Sequence, residues 1–529
     1  MVFLGEESLE WALKHLTRYY DSDFCPVAFE FSAIKQGWTS IKSHLRSIDL
    51  DEYTPQSPLI HLAPKANGTF RVVHRLDPID SLLYTALVYE VHRIIEDYRI
   101  PESESIACSY RIKPDVSGSF FDREETGWDN FTRKTELLAD EYVGGYVLTC
   151  DIADFYNQIY LHRIQNVLAE AGPAEGEPRA KAIECFLTRL NTKTSRGVPV
   201  GPAASIVLAE AIMADIDKKI LAYTHDFVRW VDDIRIFLSS EWEATYVLHE
   251  LTRYLYSNHR LVLSGEKTLI LQVKDFKARY FRDREAEEKS AISATAEVLA
   301  LDQIMAEMLA GLPAYEAADL AMDIDVERER IHEKISELSE FEVLSKAYLQ
   351  LLDKMLSADR LDMTMLRRIF RVAARHRIRS ILPLSLTNFT KLLPVVREVV
   401  IYLYRVVNEE VVKRHWSLFQ DIMKAKQMSL PFVNMWVSFL LTNSHFAGTD
   451  IPNVLAIRDR ALIARRDKDT TWVKSYKDGL DNLPPWDRRA VLYSASILSS
   501  DELKHWASLV AGKGDPLDKA LAEYVVLQH

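Results

Sequence analysis

The first part of the chain mixes two kinds of hydrophobic pattern. The run 146–156 (YVLTCDIADFY) is rich in β-forming residues and ends in acids. The run 225–237 (HDFVRWVDDIRIF) has two apolar arms around a turn-like Asp pair. Both read as strands. Between them, 201–220 (GPAASIVLAEAIMADIDKKI) has helical spacing and opens on Gly-Pro, and 81–99 reads as another helix. After Arg284 the strand signals vanish. Helical patterns follow one another at 294–311, 325–356, 362–379, 386–409, 430–443, 454–466, 486–498, 501–511 and 515–527. No heptad is sustained, which excludes a coiled coil, and stacked helix pairs are the natural architecture. The acidic tract 283–291 marks the expected boundary. The pattern therefore predicts an α+β domain over 1–285 and an all-α domain over 286–529.

Composition narrows the class. The 529 residues are 48% apolar and 27% charged with only 17 Gly and 19 Pro, so disordered and collagen-like classes are excluded. The net charge of −12 argues against a protein that grips nucleic acid by bulk charge. The deficit is local: residues 1–300 hold 34 Lys/Arg against 46 Asp/Glu, and the remainder is balanced. Cys25, Cys108, Cys150 and Cys185 are too scattered for a disulfide framework or a zinc site. The chain opens without a signal-type apolar core. Its most apolar stretch, 381–407, is interrupted by Lys391, Pro394 and Arg397, so no membrane span is expected. A soluble cytoplasmic protein is the expectation.

The chemistry gathers around three carboxylates. Asp151 ends one apolar strand, and Asp232 and Asp233 separate two more. Carboxylates on adjacent strand ends can hold two Mg²⁺ (or Mn²⁺) ions, and two metals stabilise both the attacking and the leaving oxygen of a phosphoryl transfer. An Asp pair alone is more often a solvated turn; its ordered setting is what gives this one weight.

That setting resembles the reverse transcriptases over roughly residues 55–285. DIADFY is similar to their motif A and RWVDD to motif C, with Trp230 in the position usually held by Tyr. SRGVPVGP is similar to motif B, and LSGEKT to motif D. Upstream, PKANGTFRVV (64–73) resembles the fingers motif, and CSYRIKP (108–114) the segment that follows it. The resemblance implies a polymerase palm and fingers. Asp151 and Asp232 would ligate metal and Asp233 complete the acidic site, while Lys267 would serve the departing pyrophosphate. Lys65 and Arg71 would hold the triphosphate. Pro199 and Gly201 would line the nucleotide site. Tyr156, five residues after Asp151, would abut the sugar 2′ position and select dNTPs. Motif B departs from the family at Val200, where a Gln is usual; Val has no polar atom with which to check a template.

Two basic features stand apart. Residues 251–284 hold eight Lys/Arg against three acids, which could track a growing strand or form an ordinary solvated face. Arg367, Arg371, Arg375 and Arg379 recur every four residues, so on a helix they form one stripe of like charge. Its partner would be product phosphates or, more plainly, the acidic polymerase region.

There is no recognisable RNase H domain and no Cys/His endonuclease module. A reverse transcriptase region, a Pro-Val-Gly-Pro motif B and a long helical remainder together resemble the bacterial abortive-infection (Abi) reverse transcriptases, including prophage-borne ones. That resemblance implies a HEAT-like helical domain and a homo-oligomer. It also implies template-independent synthesis of single-stranded DNA attached to a protein hydroxyl, in defence against bacteriophage. Tyr53, Tyr19 and Tyr20 are candidate priming residues among 23 tyrosines. Two alternatives stay open: a templated, retron-like enzyme using a specific RNA, and a scaffold built on a lapsed palm.

Overall fold

The computed structural model describes residues 1–529 apart from 20–23, 123–126, 173–175, 282–286, 297–298, 301–338 and 452–455. Tyr20, Arg282 and Arg284, much of the expected helices 294–311 and 325–356, and the start of the acidic boundary tract lie outside the described residues. The chain forms two compact units. One comprises 1–61, 72–282 and 473–529, and the other 62–71 and 283–472.

In the first unit, four antiparallel strands lie in the order β4-β5-β3-β6: β3 (Tyr146–Asp151), β4 (Phe227–Trp230), β5 (Asp233–Leu238) and β6 (Leu269–Gln272). The inner residues of β3 and β5 are buried on successive positions. That explains why both strands read as continuous apolar runs rather than alternating ones: helices cover both faces, with Leu148 and Ile236 in the main core and Val147 and Phe237 against Leu138 of helix Gly127–Glu141 and Phe276 of helix Val273–Tyr280. The helix Ala203–Leu221 is buried on nearly all sides, as its Ala-rich, apolar-all-round sequence requires. The helix Pro78–Tyr89 is equally buried and begins on an Asp77 cap whose carboxylate accepts the Ile79 N–H, with Pro78 in the first turn. A separate hairpin pairs β1 (Leu59–Pro64) with β2 (Phe70–Arg75).

The first unit also contains the end of the chain, which departs from the expectation of one helical domain running to 529. Helices Pro485–Ser494 and Pro516–Gln528 pack with one another, and the second lies against Glu30–Gln36. Arg489, fully buried, explains the attachment. Its guanidinium bonds Asp77 at the helix cap, Asp515 at 2.6 Å and Asp518 at 2.9 Å. Arg75 stacks over Trp486 at 4.9 Å, and Phe29 stacks on Tyr493 at 4.4 Å.

Apart from the hairpin residues 62–71, the second unit is helical where described. Glu340–Ser357 packs on Met363–His376, that helix on Val396–Val406, that on Pro431–Leu441, and that on Ile457–Asp467. The expected helix 386–409 is broken. Leu382–Thr387 ends, and Val396–Val406 begins only after Pro394, which cannot donate to a helical ladder and disfavours a helical residue before it. Among the described residues no helix is long and apolar enough to cross a membrane, and all four cysteines are free.

Candidate active site

β3 delivers Asp151 to the end of the sheet directly opposite Asp233, the first residue of β5. Asp232 precedes it in the β4–β5 turn. That turn needs Val231 in the left-handed region at φ 54°, an uncommon setting for a β-branched residue. Its backbone is gripped on both sides. The Val231 N–H donates to Ser109 Oγ at 2.9 Å, and the Val231 carbonyl accepts from Arg229 Nη1 at 2.9 Å.

Arg229 belongs to a buried ionic cluster. It bonds Asp217 at 2.7 Å and Glu210 at 2.9 Å, both from the helix Ala203–Leu221. Arg99 meets Glu210 at 2.9 Å, and Ser109 donates to Glu210 at 2.6 Å. Burial alone would raise the Glu210 carboxyl, but Arg229 and Arg99 hold it below its ordinary value. For Asp217 burial wins, and its carboxyl is raised despite Arg229. Sequence reading missed this cluster. The available signal was an Arg inside an apolar strand, with Glu210 and Asp217 seven residues apart inside an apolar helix.

Lys267 Nζ lies 2.8 Å from Asp151 Oδ1, so motif D reaches motif A directly. The segment before it is tied down: the Ser264 N–H donates to the Asp151 carbonyl at 2.7 Å and the Ala153 N–H to Val262 at 2.9 Å. Asp233 has Arg235 at 3.6 Å. Burial, then the charge of Asp151, pushes the Asp232 carboxyl up to about 6, with Lys267 opposing. Burial also raises Asp233, against Arg235.

This is a pocket with more carboxylate than cation, which suits a divalent metal. Among the described residues, however, no three His, Cys, Asp or Glu side chains converge closely enough to hold an ion alone. Mg²⁺ commonly takes one or two carboxylates plus substrate phosphates and water, and Asp151 with Asp232 fits that pattern.

Motifs A and B are joined by backbone. The Val198 N–H donates to the Tyr156 carbonyl at 2.9 Å and the Gly197 N–H to the Ile159 carbonyl at 2.8 Å. Gly197 has φ 90°, and a Cβ there would also crowd the Asn157 carbonyl at 3.2 Å. Tyr156 is half-buried in the short helix Phe155–Gln158. Pro199 is buried, and Gly201 adopts φ 136°. Val200 pairs with β2: its N–H donates to His74 Nδ1 at 3.1 Å and its carbonyl accepts the His74 N–H at 2.9 Å. Lys65 and Arg71 are exposed on the β1–β2 hairpin, whose 62–71 portion clusters with the second unit.

The remaining candidates have these settings. Tyr53 gives its hydroxyl to Asp80 at 2.7 Å, and burial and that carboxylate push its phenol far above the ordinary range, which suits a structural tyrosine rather than a nucleophile. Tyr19 shares a 2.8 Å hydrogen bond with Ser117. The basic run 251–284 is partly spent at home. Arg253 pairs with Glu250, Lys267 with Asp151 and Lys277 with Asp140. Arg379 lies beyond the helix of the arginine stripe, which ends at His376 with Arg377 left-handed at φ 54°.

Residues 64–286 match the family described as reverse transcriptase (RNA-dependent DNA polymerase). The chain carries a reverse transcriptase domain. The family's description is that of an RNA-dependent DNA polymerase. The matched segment holds every motif from the fingers hairpin to Lys267 and is less than half of the chain. Among solved structures, a telomerase from Candida albicans in complex with the TWJ fragment of telomeric RNA shares 10% identity at TM-score 0.31. The alignment covers 73% of this chain and 65% of that one, just under two thirds of its length. Apo telomerase from Candida tropicalis shares 11% identity at TM-score 0.32, over 77% and 74% of the two chains. Likeness at that level carries no functional argument. No curated protein sequence matches the chain.

Proposed function

We propose that the protein builds single-stranded DNA from dNTPs without a template, starting from a hydroxyl of the protein itself. We place it in abortive-infection defence against bacteriophage, in the bacterial cytoplasm and as a homo-oligomer. The observation that carries the untemplated reading is Val200. Its side chain offers no polar atom, and both of its backbone groups are spent on His74, so this position has nothing left with which to read a base. The defence role, the protein primer, the oligomer and a HEAT-like second unit rest on the motif resemblance.

The chemistry assigned to the site is in-line transfer of a nucleotidyl group. Mg²⁺, when bound, supplies Lewis-acid stabilisation of the attacking and departing oxygens. Asp151 and Asp232 provide its carboxylate ligands, with Asp233 the third acid of the pocket. Lys267 sits against Asp151 and is placed to hold a phosphate oxygen or donate a proton to departing pyrophosphate. Lys65 and Arg71 are the cations that the fingers motif assigns to the triphosphate, through charge-assisted hydrogen bonds. Tyr156, fixed through its carbonyl to motif B, is the sugar gate.

The test is incorporation by purified protein given Mg²⁺ and dNTPs, with neither template nor primer. Product that survives denaturation on the protein, and is absent from Asp232→Ala, supports the proposal. Incorporation that requires an added RNA supports the templated, retron-like alternative instead.

A further inference from the structure

The arginine stripe of the second unit is not used by the polymerase chemistry. In the helix Met363–His376, Arg367, Arg371 and Arg375 are exposed on one face, with Arg377 exposed at the cap. Arg367 reaches Glu398 only at 3.8 Å, and Arg371 bonds the carbonyl of Arg367 in its own helix. Among the described residues Arg375 and Arg377 meet no carboxylate within ion-pair distance. A helix C-terminus favours cations, which accounts for Arg375 and His376. It does not account for Arg367 and Arg371, which lie one to two turns earlier and repel one another at four-residue spacing. The acids packed nearest are already committed. Glu288 pairs with Arg368, and Glu398 is shared by Arg367 and Arg397.

At the end of the stripe lies a pocket of about 360 Å³ lined, among the described residues, by Phe341, Ser345, His376, Arg377, Arg379 and Ser380. Ser380 Oγ, in the turn after the stripe helix, donates to the Ser345 carbonyl of helix Glu340–Ser357 at 2.7 Å, and Arg379 Nε is held by the Val406 carbonyl at 3.1 Å. The Phe341 ring is half exposed beside these cations. Glu340 and Glu342 flank it in the first helical turn, so the pocket itself is less positive than the stripe.

We infer that this face binds single-stranded nucleic acid, with phosphates along Arg367, Arg371, Arg375 and Arg377 and a base in the pocket against Phe341. Successive stripe arginines advance about 6 Å along the helix, a step similar to that between phosphates of an extended strand. Cations that follow a backbone and an aromatic face that stacks a base are the combination by which proteins hold single strands without reading sequence. An acidic protein segment would use the arginines but has no need of the ring and its pocket. The inference deepens the proposed function by assigning a resting place for the strand, and it stands or falls on binding rather than on synthesis.

The test uses the full-length protein and a labelled 20-nucleotide oligo-dT in fluorescence anisotropy over a salt series. Arg367→Gln/Arg371→Gln/Arg375→Gln/Arg377→Gln should flatten the slope of log affinity against log salt by about 3, for four phosphates released from a single strand. The matching quadruple Arg→Lys variant should keep that slope and report that folding is intact. Phe341→Ala should weaken binding roughly 5-fold or more at unchanged slope. An unaltered slope in the Gln variant, or equal competition by an oligo-glutamate of the same length, would overturn the assignment, the latter in favour of an acidic protein partner. Oligo-dT bound through the stripe by a protein that incorporates no dNTP would leave this site standing and remove the polymerase proposal. Incorporation with no stripe-dependent binding would do the reverse.

Discussion

Replacing Arg229 by Met probes how the catalytic turn is held. The substitution keeps an unbranched apolar stem but leaves Asp217, fully buried and already raised by burial, and Glu210 without their main cation. Removing one member of a buried pair typically costs about 3–5 kcal/mol, because the surviving charge stays desolvated. A domain is usually stable by only about 5–15 kcal/mol, so Arg229→Met should remain folded at low temperature with a much lower urea midpoint. The same guanidinium donates to the Val231 carbonyl at 2.9 Å, so the turn bearing Asp232 should loosen as well. The triple variant Arg229→Met/Glu210→Gln/Asp217→Asn separates the two effects. Neutralising the stranded acids should restore most of the midpoint, whereas the turn still lacks its donor and kcat should stay at least 10-fold down with dNTP KM little changed. Urea unfolding followed by tryptophan fluorescence, with steady-state incorporation on the folded fraction, reads both. A loss under about 1 kcal/mol in the single variant, or full recovery of kcat in the triple, would refute the reasoning.

Other outcomes follow from the same geometry. Lys267→Met should lower kcat by about 100-fold or more if the lysine acts as proton donor, measured under saturating dNTP; an unchanged kcat would leave it only a counter-ion for Asp151. Tyr156→Ala should begin to incorporate rNTPs, and unaltered sugar selectivity in a competition assay would remove the gate assignment. Asp80 is raised from 3.8 to about 7 by burial and then by Asp77. Its folded form holds the proton more tightly than the unfolded form, so its contribution to stability is complete below about pH 4 and is lost as pH rises through about 7. Asp80→Asn should therefore gain on the parent between those limits, by roughly 4 kcal/mol at most, and hold a constant gap above pH 8 in urea titrations. Arg489→Met should destabilise the first unit by about 3–5 kcal/mol, since it leaves Asp77, Asp515 and Asp518 facing one another; limited proteolysis would then cut within 473–529 first.

Much of the site was legible along the chain because its parts are local patterns. An apolar strand ending in Asp151, an Asp pair between two apolar arms, and a Lys in the turn that follows are each fixed within a dozen residues. The sheet register then sets Asp151 against Asp233. The described helices of the second half were legible for the same reason, since a 3.6-residue period and a proline break leave marks in any window of the sequence. The break at Pro394 lay in plain view, but local periodicity on both sides ran the helix through it.

What the sequence could not carry is everything that joins distant segments. Arg489 and Asp77 are 412 positions apart, and no pattern near either announces the other, yet their pairing draws 473–529 into the first unit. Asp217 and Arg229 look like polar interruptions of apolar elements until folding buries them together, where each helps to neutralise the other and Glu210 joins them. Val200 reads as a lost glutamine, and only the His74 pairing shows that its backbone is also spent. Sequence by itself determined which residues could do chemistry and which segments would be strand or helix, because those depend on side-chain type and short-range period. Tertiary structure decided which charges are compensated, since the free energy of a buried charge depends on neighbours brought close only by the fold.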